Sequence, residues 1–361
     1  MFIIQGFGHS LGSSIRAIHS EYGFTVRVDR GLPSAAGGVG KRLPCAITIG
    51  NFDGVHLGHQ ALLAELRAAA DRLGVEATVM TFEPHPREYF ADRAGKPDAA
   101  PKRIANLRDK LEALSAAGVD RVIVEHFNAR FAGLSADDFI RNVLLGTCQA
   151  RWLMVGEDFR FGKGRSGDLA LLRAAGVAHG FELHSLPTVT APGDADLRIS
   201  SSAVRAALAA GDFRQAAQLL GRPYFISGRV IHGAKLGRSI GFPTANLRVV
   251  HHRPAIEGIF VVQMHGVGPQ PLPGVASIGR RPTVDDSGRV LLEVFLLDYQ
   301  GDLYGKLVRV EFLHKLRDEE KYIDLPTLTT AIGRDVDNAR RWFADQRDSN
   351  QDLRIRAGAA R

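Results

Sequence analysis

With 361 residues, of which 45% are hydrophobic and 24% charged, the chain has the length for two domains and the composition of an ordinary soluble globular protein. Its two cysteines, Cys45 and Cys148, are too few for a disulfide framework or a cysteine-rich zinc site, and they fit a reducing cytosol. The net charge of +7 suits nucleic acids and phosphorylated small molecules equally well, but no long basic block favours a nucleic acid.

The N-terminal half alternates between strand and helix patterns. Residues 1–42 are rich in glycine and serine with weak periodicity, which is typical of a partly disordered extension. Within them, the pattern at 24–28 predicts one short strand. From Cys45 onward, buried runs alternate with amphipathic helical runs at the spacing of a parallel sheet covered by helices. The predicted strands are 45–50, 75–82, 120–127, 151–156 and 181–189, and the predicted helices are 57–74, 103–118, 135–145 and 169–180.

A change of character near 221–223 marks the predicted domain boundary. A helical pattern over 202–221 ends there, and short β-type runs separated by turn residues indicate a compact antiparallel barrel or sandwich. A last helix at about 327–347 precedes a polar tail. The predicted strand runs are 224–233, 259–266, 274–279, 290–298 and 306–313. The predicted divisions are an extension at 1–42, domains at 43–221 and 222–348, and a tail at 349–361.

The first candidate site is GNFDGVHLGH, residues 50–59, between a predicted strand and a predicted helix. This geometry offers backbone N–H groups and the positive end of a helix dipole to an anion, and glycines let a phosphate come close. His56 and His59 can donate hydrogen bonds to a phosphoryl group that gains charge in the transition state. From these residues alone, a metal pair and two incidental surface histidines stay open, although no companion zinc ligands stand at an evident spacing.

A second motif, TFEPHP at 81–86, follows a predicted strand. Its two prolines stiffen a turn at the carboxyl edge of the sheet, where open α/β sheets bind ligands, unless the motif is only a rigid loop. A third motif, GEDFRFG at 156–162, carries Asp158, which can accept a hydrogen bond or approach a magnesium ion. Its aromatic residues, Phe159 and Phe161, are of the kind that most often pack in a core.

A fourth motif, RISSSAVR at 198–205, stands at a predicted helix start. Serine hydroxyls and N-terminal N–H groups can bind phosphate there, and Arg205 can reach it bidentately. The same string, taken alone, also fits an ordinary helix cap.

These four motifs, in this order, closely resemble the FMN adenylyltransferase module of bacterial bifunctional riboflavin kinase/FAD synthetases. The resemblance implies a Rossmann-like nucleotidyltransferase domain with a parallel sheet, in which His56, His59 and Arg205 stabilise charge during adenylyl transfer. The chain departs from the family at Asp158, where Asn is usual, and at Ser202, where Thr is usual. The residues implied to bind ATP are Gly50, Phe52, Asp53, Gly54, Gly58, Asp158, Arg198, Ser201 and Ser202, and those implied to bind flavin in this domain are Pro84 and Pro86.

The second strong signal is GAKLGRSIGFPTANL, residues 233–247. Its three glycines suggest a loop that can close over phosphates, although it is not a Walker A loop and fits a plain turn and strand equally well. Thr244 and Asn246 lie two residues apart, on one side of an extended segment, and their side-chain oxygens suit Mg²⁺ bound to ATP. The residues expected to hold this nucleotide are Gly233, Gly237, Gly241, Pro243, Thr244 and Asn246, the last two as metal ligands.

This segment, together with VASIGRRPTV at 275–284 and VLLEVFLLDYQGDLYGK at 290–306, resembles the riboflavin kinase motifs. The resemblance implies an antiparallel β-barrel domain with a terminal helix, in which Glu293 orients the substrate hydroxyl and accepts its proton. It also implies that Arg317 contacts the flavin. Ser277 stands where the family usually has Asn, and Glu293 without the motif fits a solvent-facing glutamate.

The two resemblances together imply a bifunctional enzyme of flavin cofactor biosynthesis. Its second domain would make FMN and ADP from riboflavin and ATP, and its first would make FAD and diphosphate from FMN and ATP. The implied cofactors are Mg²⁺, ATP as co-substrate, and flavins as substrates and products.

Two alternatives stay open: a nucleic-acid-binding protein of nucleotidyltransferase fold, and a homologue with one active half-reaction. No KMSKS-type loop or anticodon-binding domain supports the first, so we expect small-molecule partners and no nucleic acid. No apolar run approaches the roughly 20 residues that span a bilayer, and the N-terminus lacks the basic start of a signal peptide. We therefore expect no membrane partner and a cytoplasmic location. The oligomeric state is open, a homo-oligomer included.

Overall fold

A computed structural model of the protein describes residues 16–19, 25–32, 43–187, 189–191, 194–233, 237, 240–249, 253–280 and 290–359. They form two compact units, which divide the chain after Ser200 except that residues 102–106 belong to the second unit. The domain limits predicted from the sequence, 43–221 and 222–348, stay predictions.

The first unit is built on a seven-stranded sheet. Its strands are β1 Arg16–His19, β2 Thr25–Arg30, β3 Cys45–Ile49, β4 Glu76–Phe82, β5 Arg121–Glu125, β6 Ala150–Gly156 and β7 Glu182–Leu186. Their order is β1-β2-β5-β4-β3-β6-β7, and all neighbours are parallel except β1 and β2. The predicted parallel sheet is confirmed, and it includes the strand predicted near 24–28.

Helices cover both faces of this sheet, which explains why β3 and β5 are buried along their whole length. One apolar cluster joins the sheet to the first and third helices through Leu66 and Leu114, and another joins the opposite face to later helices through Leu144 and Leu172. The helices are α1 Leu57–Leu73, α2 Pro86–Arg93, α3 Leu107–Ala116, α4 Ala129–Ala132, α5 Ala136–Asp138, a π-helix Phe139–Thr147 and α6 Leu169–His179, with 3₁₀ turns at Pro97–Ala99 and Lys163–Arg165.

Two predicted helices of this unit differ from the pattern. The helix predicted from residue 103 begins only at Leu107, because the Arg103 backbone instead pairs with Arg253 and Ala255 within the second unit. The helix predicted over 135–145 begins as expected with Ser135, whose hydroxyl accepts the Asp138 N–H, but it continues as a π-helix. A short ribbon, β8 Thr190–Ala191 and β9 Asp194–Arg198, ends the unit.

The second unit is a closed antiparallel barrel with flanking helices. The order around the barrel is β10-β11-β14-β13-β12-β15, so the predicted barrel is confirmed rather than a sandwich. The elements are α7 Ser201–Ala210, α8 Phe213–Leu220, β10 Phe225–Ile231, β11 Thr244–Val249, β12 Gly258–His265, β13 Leu272–Arg280, β14 Val290–Leu296, β15 Leu307–Arg317 and α9 Leu325–Ala359.

The helix predicted over 202–221 is wrong in one respect, because it is two helices. Gly211 has φ +74°, a left-handed conformation that ends α7, and Asp212 then caps α8 by accepting the Gln215 N–H. The predicted end at Gly221 is confirmed, with φ +70°. The terminal helix is confirmed and is longer than the predicted 327–347.

Candidate active sites

The turn after β3 has an unusual backbone. Phe52 and Val55 have φ +48° and +42°, a left-handed conformation that side chains disfavour, and Gly54 has φ +85°. A non-glycine residue held there costs about 1–3 kcal/mol and persists only where its surroundings enforce it. Phe52 and Val55 are both buried in the apolar cluster that joins the sheet to α1 and α3, and Asp53 is buried as well. The predicted nucleotide turn is therefore strained and held by the core.

The two histidines of the motif are brought together at the start of α1. His56 is the helix cap, and its Nδ1 accepts the His59 N–H at 3.3 Å. Their rings stack with centroids 3.7 Å apart at an angle of 18°, and His56 is only 6% exposed. Because Nδ1 accepts a hydrogen bond, the proton of the neutral His56 ring belongs on Nε2, which can donate.

Gly58 lies directly against the His56 ring. A Cβ added at Gly58 would stand 3.2 Å from His56 Nδ1 and 3.5 Å from the carbonyl oxygen of Ile199. The contact with His56 Nδ1 is tighter than an ordinary van der Waals contact, whereas the one with the Ile199 oxygen is ordinary. Gly58 is expected to keep the backbone clear of a phosphate. In this chain the lack of a side chain at Gly58 also leaves room for the His56 imidazole.

The TFEPHP turn leads from β4 into α2. The Glu83–Pro84 peptide bond is cis, and Pro86 is the first residue of the helix. His85 is buried and caps the helix: its Nδ1 accepts the Arg87 N–H at 3.0 Å, while Glu88 Oε2 accepts the His85 N–H at 3.0 Å. Both predicted prolines thus stand at the carboxyl edge of the sheet.

A buried carboxyl group supports the same edge. Glu125, the last residue of β5, accepts the Leu32 N–H at 2.6 Å, and its carbonyl accepts the Glu83 N–H at 3.0 Å. Burial raises the pKa of Glu125, and the Leu32 hydrogen bond opposes that shift. The residue links β2, β5 and the start of the TFEPHP turn.

The residues of the GEDFRFG motif lie partly at the surface and partly in the core. Asp158 is exposed, and its Oδ1 would lie 3.1 Å from a Cβ added at Gly156. Phe161 is buried, with its ring centroid 5.2 Å from that of Phe139, and Gly167 packs against the Phe161 ring. The expectation that these aromatic residues belong to the core is confirmed for Phe161.

The RISSSAVR motif extends from β9 into α7. Arg198 is exposed at the end of β9, and Ser201 and Ser202 open α7, which belongs to the second unit. Arg205 Nε donates to the carbonyl of Lys102 at 2.6 Å.

In the barrel, three polar side chains form a row across neighbouring strands. Asn246 on β11 is directly opposite Glu293 on β14, and Glu293 is directly opposite Ser277 on β13. Directly opposite residues of antiparallel strands share one face of the sheet. Leu292 and Val294, which flank Glu293, are fully buried on the other face. The predicted base and a predicted metal ligand are therefore immediate neighbours.

The Asn246 carboxamide, only 5% exposed, lies in a close cradle. Its Nδ2 donates to the Thr244 carbonyl at 3.2 Å, while its Oδ1 is buried and has no hydrogen-bond partner among the described residues. A Cβ added at Gly233 would stand 2.5 Å from Nδ2, so the glycine is needed for the approach.

The oxygen groups of Thr244 and Asn246 on β11, together with the Glu293 carboxylate opposite Asn246, fit magnesium. A hydroxyl, an amide oxygen and a carboxylate, from Thr244, Asn246 and Glu293, are the hard ligands that Mg²⁺ prefers, and the buried Asn246 Oδ1 needs a partner. Within the described ranges, no three His, Cys, Asp or Glu side chains come together as a metal cage. The hydroxyl, amide and carboxylate oxygens of Thr244, Asn246 and Glu293 suit a magnesium ion that is shared with nucleotide phosphates.

The described residues of the glycine-rich segment before β11, Gly237 and 240–243, come close together in a tight turn. Phe242 N donates to the Gly237 carbonyl at 2.8 Å, and a Cβ added at Gly237 would collide with the Phe242 carbonyl. Gly241 has φ +87°, and Pro243 follows at the surface. This turn therefore needs glycine at both 237 and 241.

The expected flavin contact, Arg317, is engaged in an ion pair. Its Nε and Nη2 donate to the two carboxylate oxygens of Asp335 on α9 at 2.9 and 2.7 Å, and Asp335 is 4% exposed. These hydrogen bonds raise the pKa of Arg317. The guanidinium thereby ties the end of β15 to the terminal helix.

Two residues that the sequence reasoning missed stand beside the expected ones. Glu319 accepts from the Ser277 hydroxyl at 3.2 Å, its carboxylate occupies the place of a Cβ at Gly279, and burial raises its pKa. Lys110 is 1% exposed in α3. Its sequence signal was available, because it lies in the helical stripe of Leu107, Leu111 and Leu114.

Two protein families match successive parts of the chain. The family described as FAD synthetase matches residues 40–203, and the family described as riboflavin kinase matches residues 220–343. The bifunctional riboflavin kinase/FMN adenylyltransferase of Escherichia coli strain K12 is 46% identical over 299 residues, which cover 83% of this chain and 93% of that protein. The protein of the same name from Pseudomonas fluorescens is 48% identical over 296 residues, which cover 82% of this chain and 92% of its own.

A solved structure with a different name shares the fold. The crystal structure named as a macrolide-efflux protein from Streptococcus pneumoniae is 30% identical, with a TM-score of 0.64, and the match covers 83% of this chain and 95% of that one. Among the helices that the structure describes here, none combines the length and the apolar composition that a membrane crossing requires.

Proposed function

Since this chain belongs to the bifunctional riboflavin kinase/FMN adenylyltransferase family, we propose how its own residues divide the two reactions. The chain is a riboflavin kinase through its C-terminal part and an FMN adenylyltransferase through its N-terminal part. ATP is the co-substrate of both reactions, and flavins are the substrates and products.

In the kinase reaction, Glu293 is the general base. Its carboxylate orients the 5′-hydroxyl of riboflavin and accepts the proton as that oxygen attacks the γ-phosphorus of ATP, which releases ADP and leaves FMN. The observation that carries this assignment is the direct opposition of Asn246 and Glu293, since it sets a proton acceptor beside a phosphate-side ligand. Gly237, Gly241 and Pro243 border the phosphates.

Thr244 and Asn246 are the proposed ligands of a nucleotide-bound Mg²⁺. The orphaned Oδ1 of Asn246 supports this role, because a buried acceptor without a partner is costly. The ion, when bound, neutralises charge on the phosphate oxygens. Gly233 keeps the Asn246 carboxamide in its place.

In the adenylyltransferase reaction, the phosphate of FMN attacks the α-phosphorus of ATP and diphosphate leaves. The nucleophile is already an anion, so little proton transfer is needed, and positioning with electrostatic stabilisation dominates. His56 and His59 donate to the α-phosphate oxygens, and the turn that carries Gly50, Phe52, Asp53, Gly54 and Gly58 surrounds the nucleotide. The stacking of the two imidazoles at a helix N-terminus supports their joint action on one anion.

The other residues named from the motifs keep proposed roles. Arg198, Ser201, Ser202 and Arg205 contact the triphosphate of the adenylyltransferase substrate, and Asp158 accepts a hydrogen bond or approaches the metal there. Pro84 and Pro86 border the flavin in that reaction. Arg317 borders the flavin of the kinase reaction, with its guanidinium held by Asp335.

We further propose that the enzyme works in the cytoplasm and binds no nucleic acid. Both cysteines are buried and form no disulfide, which fits a reducing compartment. Burial raises the pKa of Cys45 to about 11, so this thiol is unreactive.

The test uses the full-length chain with riboflavin, ATP and Mg²⁺, and follows FMN and FAD by chromatography. We expect His59→Ala to accumulate FMN without FAD, and Glu293→Gln to form FAD only when FMN is supplied. If either variant kept the half-reaction assigned to it, the residue assignment would be wrong.

A further inference from the structure

A buried lysine of the first unit takes no part in either reaction as assigned above. Lys110 on α3 is 1% exposed, although lysine is almost never fully buried unless its ammonium group is paired. Its helix neighbours Leu111 and Leu114 pack into the apolar cluster below the sheet, so this stripe of α3 turns the lysine toward the sheet. A charge kept in such a place needs a structural or functional reason.

Two successive hydrogen-bond contacts connect the Lys110 ammonium group to the nucleotide turn after β3. Lys110 Nζ lies 3.4 Å from Thr81 Oγ1, and the Thr81 hydroxyl donates to the carbonyl of Asn51 at 3.1 Å. A hydroxyl has one proton and two lone pairs, so it can accept from the ammonium and donate to the carbonyl at once. Thr81 is fully buried, so water does not compete for these bonds.

Asn51 is the residue at which this path meets the strained turn. It follows β3 by two positions and directly precedes Phe52, whose φ is +48°. The Asn51 carboxamide oxygen has no hydrogen-bond partner within the described part of the chain, so the attachment to β4 runs through the backbone carbonyl. β3 and β4 pair in parallel as far as Ile49 and Met80, and the Gly50 N–H donates to the Met80 carbonyl at 3.1 Å. The Thr81 hydroxyl adds the next attachment along the turn, at Asn51.

We propose that Lys110 is a positioning residue for adenylyl transfer, which acts through Thr81 and the Asn51 carbonyl to hold the turn that carries His56. The inference rests on the proposed function of that turn as the ATP site. A strained backbone returns to a more relaxed conformation when its supports are removed. Loss of the ammonium therefore displaces the turn and the imidazoles rather than the chemistry itself.

The test compares removal and conservative variants in the full chain. Lys110→Met and Thr81→Val remove the ammonium and the hydroxyl with little change of volume, whereas Lys110→Arg and Thr81→Ser retain the charge and the hydroxyl. We expect the removal variants to lower kcat/KM for ATP in FAD formation on the order of 100-fold, as small misplacements do. FMN formation from riboflavin, measured in the same molecules, stays unchanged, and Thr81→Ser retains most FAD formation.

A double variant separates this path from general support of the fold. Because both residues act along one path, Lys110→Met/Thr81→Val is expected to be no worse than the more damaging single variant. Fully additive losses, or removal variants that are less heat-stable yet make FAD at the wild-type rate, would overturn the proposal. If Lys110→Met does not fold, Thr81→Val decides alone, and wild-type FAD formation by it overturns the proposal. A His59→Ala variant that still makes FAD would instead refute the ATP site on which the proposal rests, and the proposal with it.

Discussion

Asn246 and Glu293 stand directly opposite each other on β11 and β14, and the Asn246 Oδ1 is buried without a hydrogen-bond partner among the described residues. Opposed side chains on antiparallel strands have Cβ atoms about 5 Å apart. One side chain can therefore hold the metal–nucleotide while the other receives the proton of the attacking hydroxyl. The two residues are expected to fail in different ways.

Glu293→Gln is expected to slow FMN formation about 10²- to 10⁴-fold, because the amide cannot accept the substrate proton. FAD formation from added FMN stays at the wild-type rate. The matched control is Glu311→Gln on β15, a glutamate of the same barrel whose carboxylate contacts His265 at 3.0 Å. Equal loss in both variants would mean that the barrel, and not the base, had been damaged.

Asn246→Ala is expected to raise the Mg²⁺ concentration that half-saturates the kinase reaction by about 10-fold or more, as the loss of metal-site partners does. A titration of Mg²⁺ at saturating riboflavin measures this shift. Asn142→Ala, an exposed residue of the π-helix in the other unit, is the control. An unchanged Mg²⁺ dependence with a lower maximal rate would remove Asn246 from the metal site.

Gly58→Ala is expected to reduce FAD formation on the order of 100-fold, because the new methyl group would press on His56 Nδ1 and displace the imidazole. FMN formation is spared. Gly333→Ala on α9 is the control, since a Cβ at Gly333 meets no atom within 4 Å. Normal FAD formation by Gly58→Ala would show that the His56 ring tolerates the contact or is not needed.

Glu125→Gln tests the cost of a buried carboxylate. Burial raises the pKa of Glu125 in the folded state, so above its ordinary value of 4.5 the unfolded chain holds fewer protons at this group and stability falls as pH rises. Glutamine does not ionise. We therefore expect the melting temperature of Glu125→Gln to gain on wild type as pH rises above 4.5, up to the raised pKa. The exposed Glu65→Gln is the control, and a gain that shrinks with pH would contradict the sign.

Most of the architecture was predictable because local patterns determine it. The buried strands β3 and β5 follow from short continuous apolar runs, and the apolar stripe of α1 follows from its helical periodicity. The start of α3 at Leu107 could not be predicted from local sequence, because the Arg103 backbone pairs with Arg253 and Ala255, far away in the chain. Tertiary contacts of that kind override local helix preference.

The sequence predicted which residues form the candidate sites, but not how those residues lie relative to each other. Motifs named Asn246, Glu293 and the two histidines, but strand register alone makes the first two opposite, and the capping of α1 by His56 is a matter of backbone geometry. Lys110 was missed because a lysine in a helical stripe is normally attributed to the solvent side of its helix.

The pairing of β11 with β14 also restricts how this gene can change. Side chains alternate between the two faces of a strand, so an insertion or deletion of one residue inside β14 would move Glu293 to the face now held by Leu292 and Val294. That single event would empty the row of its carboxylate and force a charge among the fully buried apolar side chains. Length variation among functional descendants should therefore accumulate in the connections between barrel strands, while β11 and β14 keep their lengths.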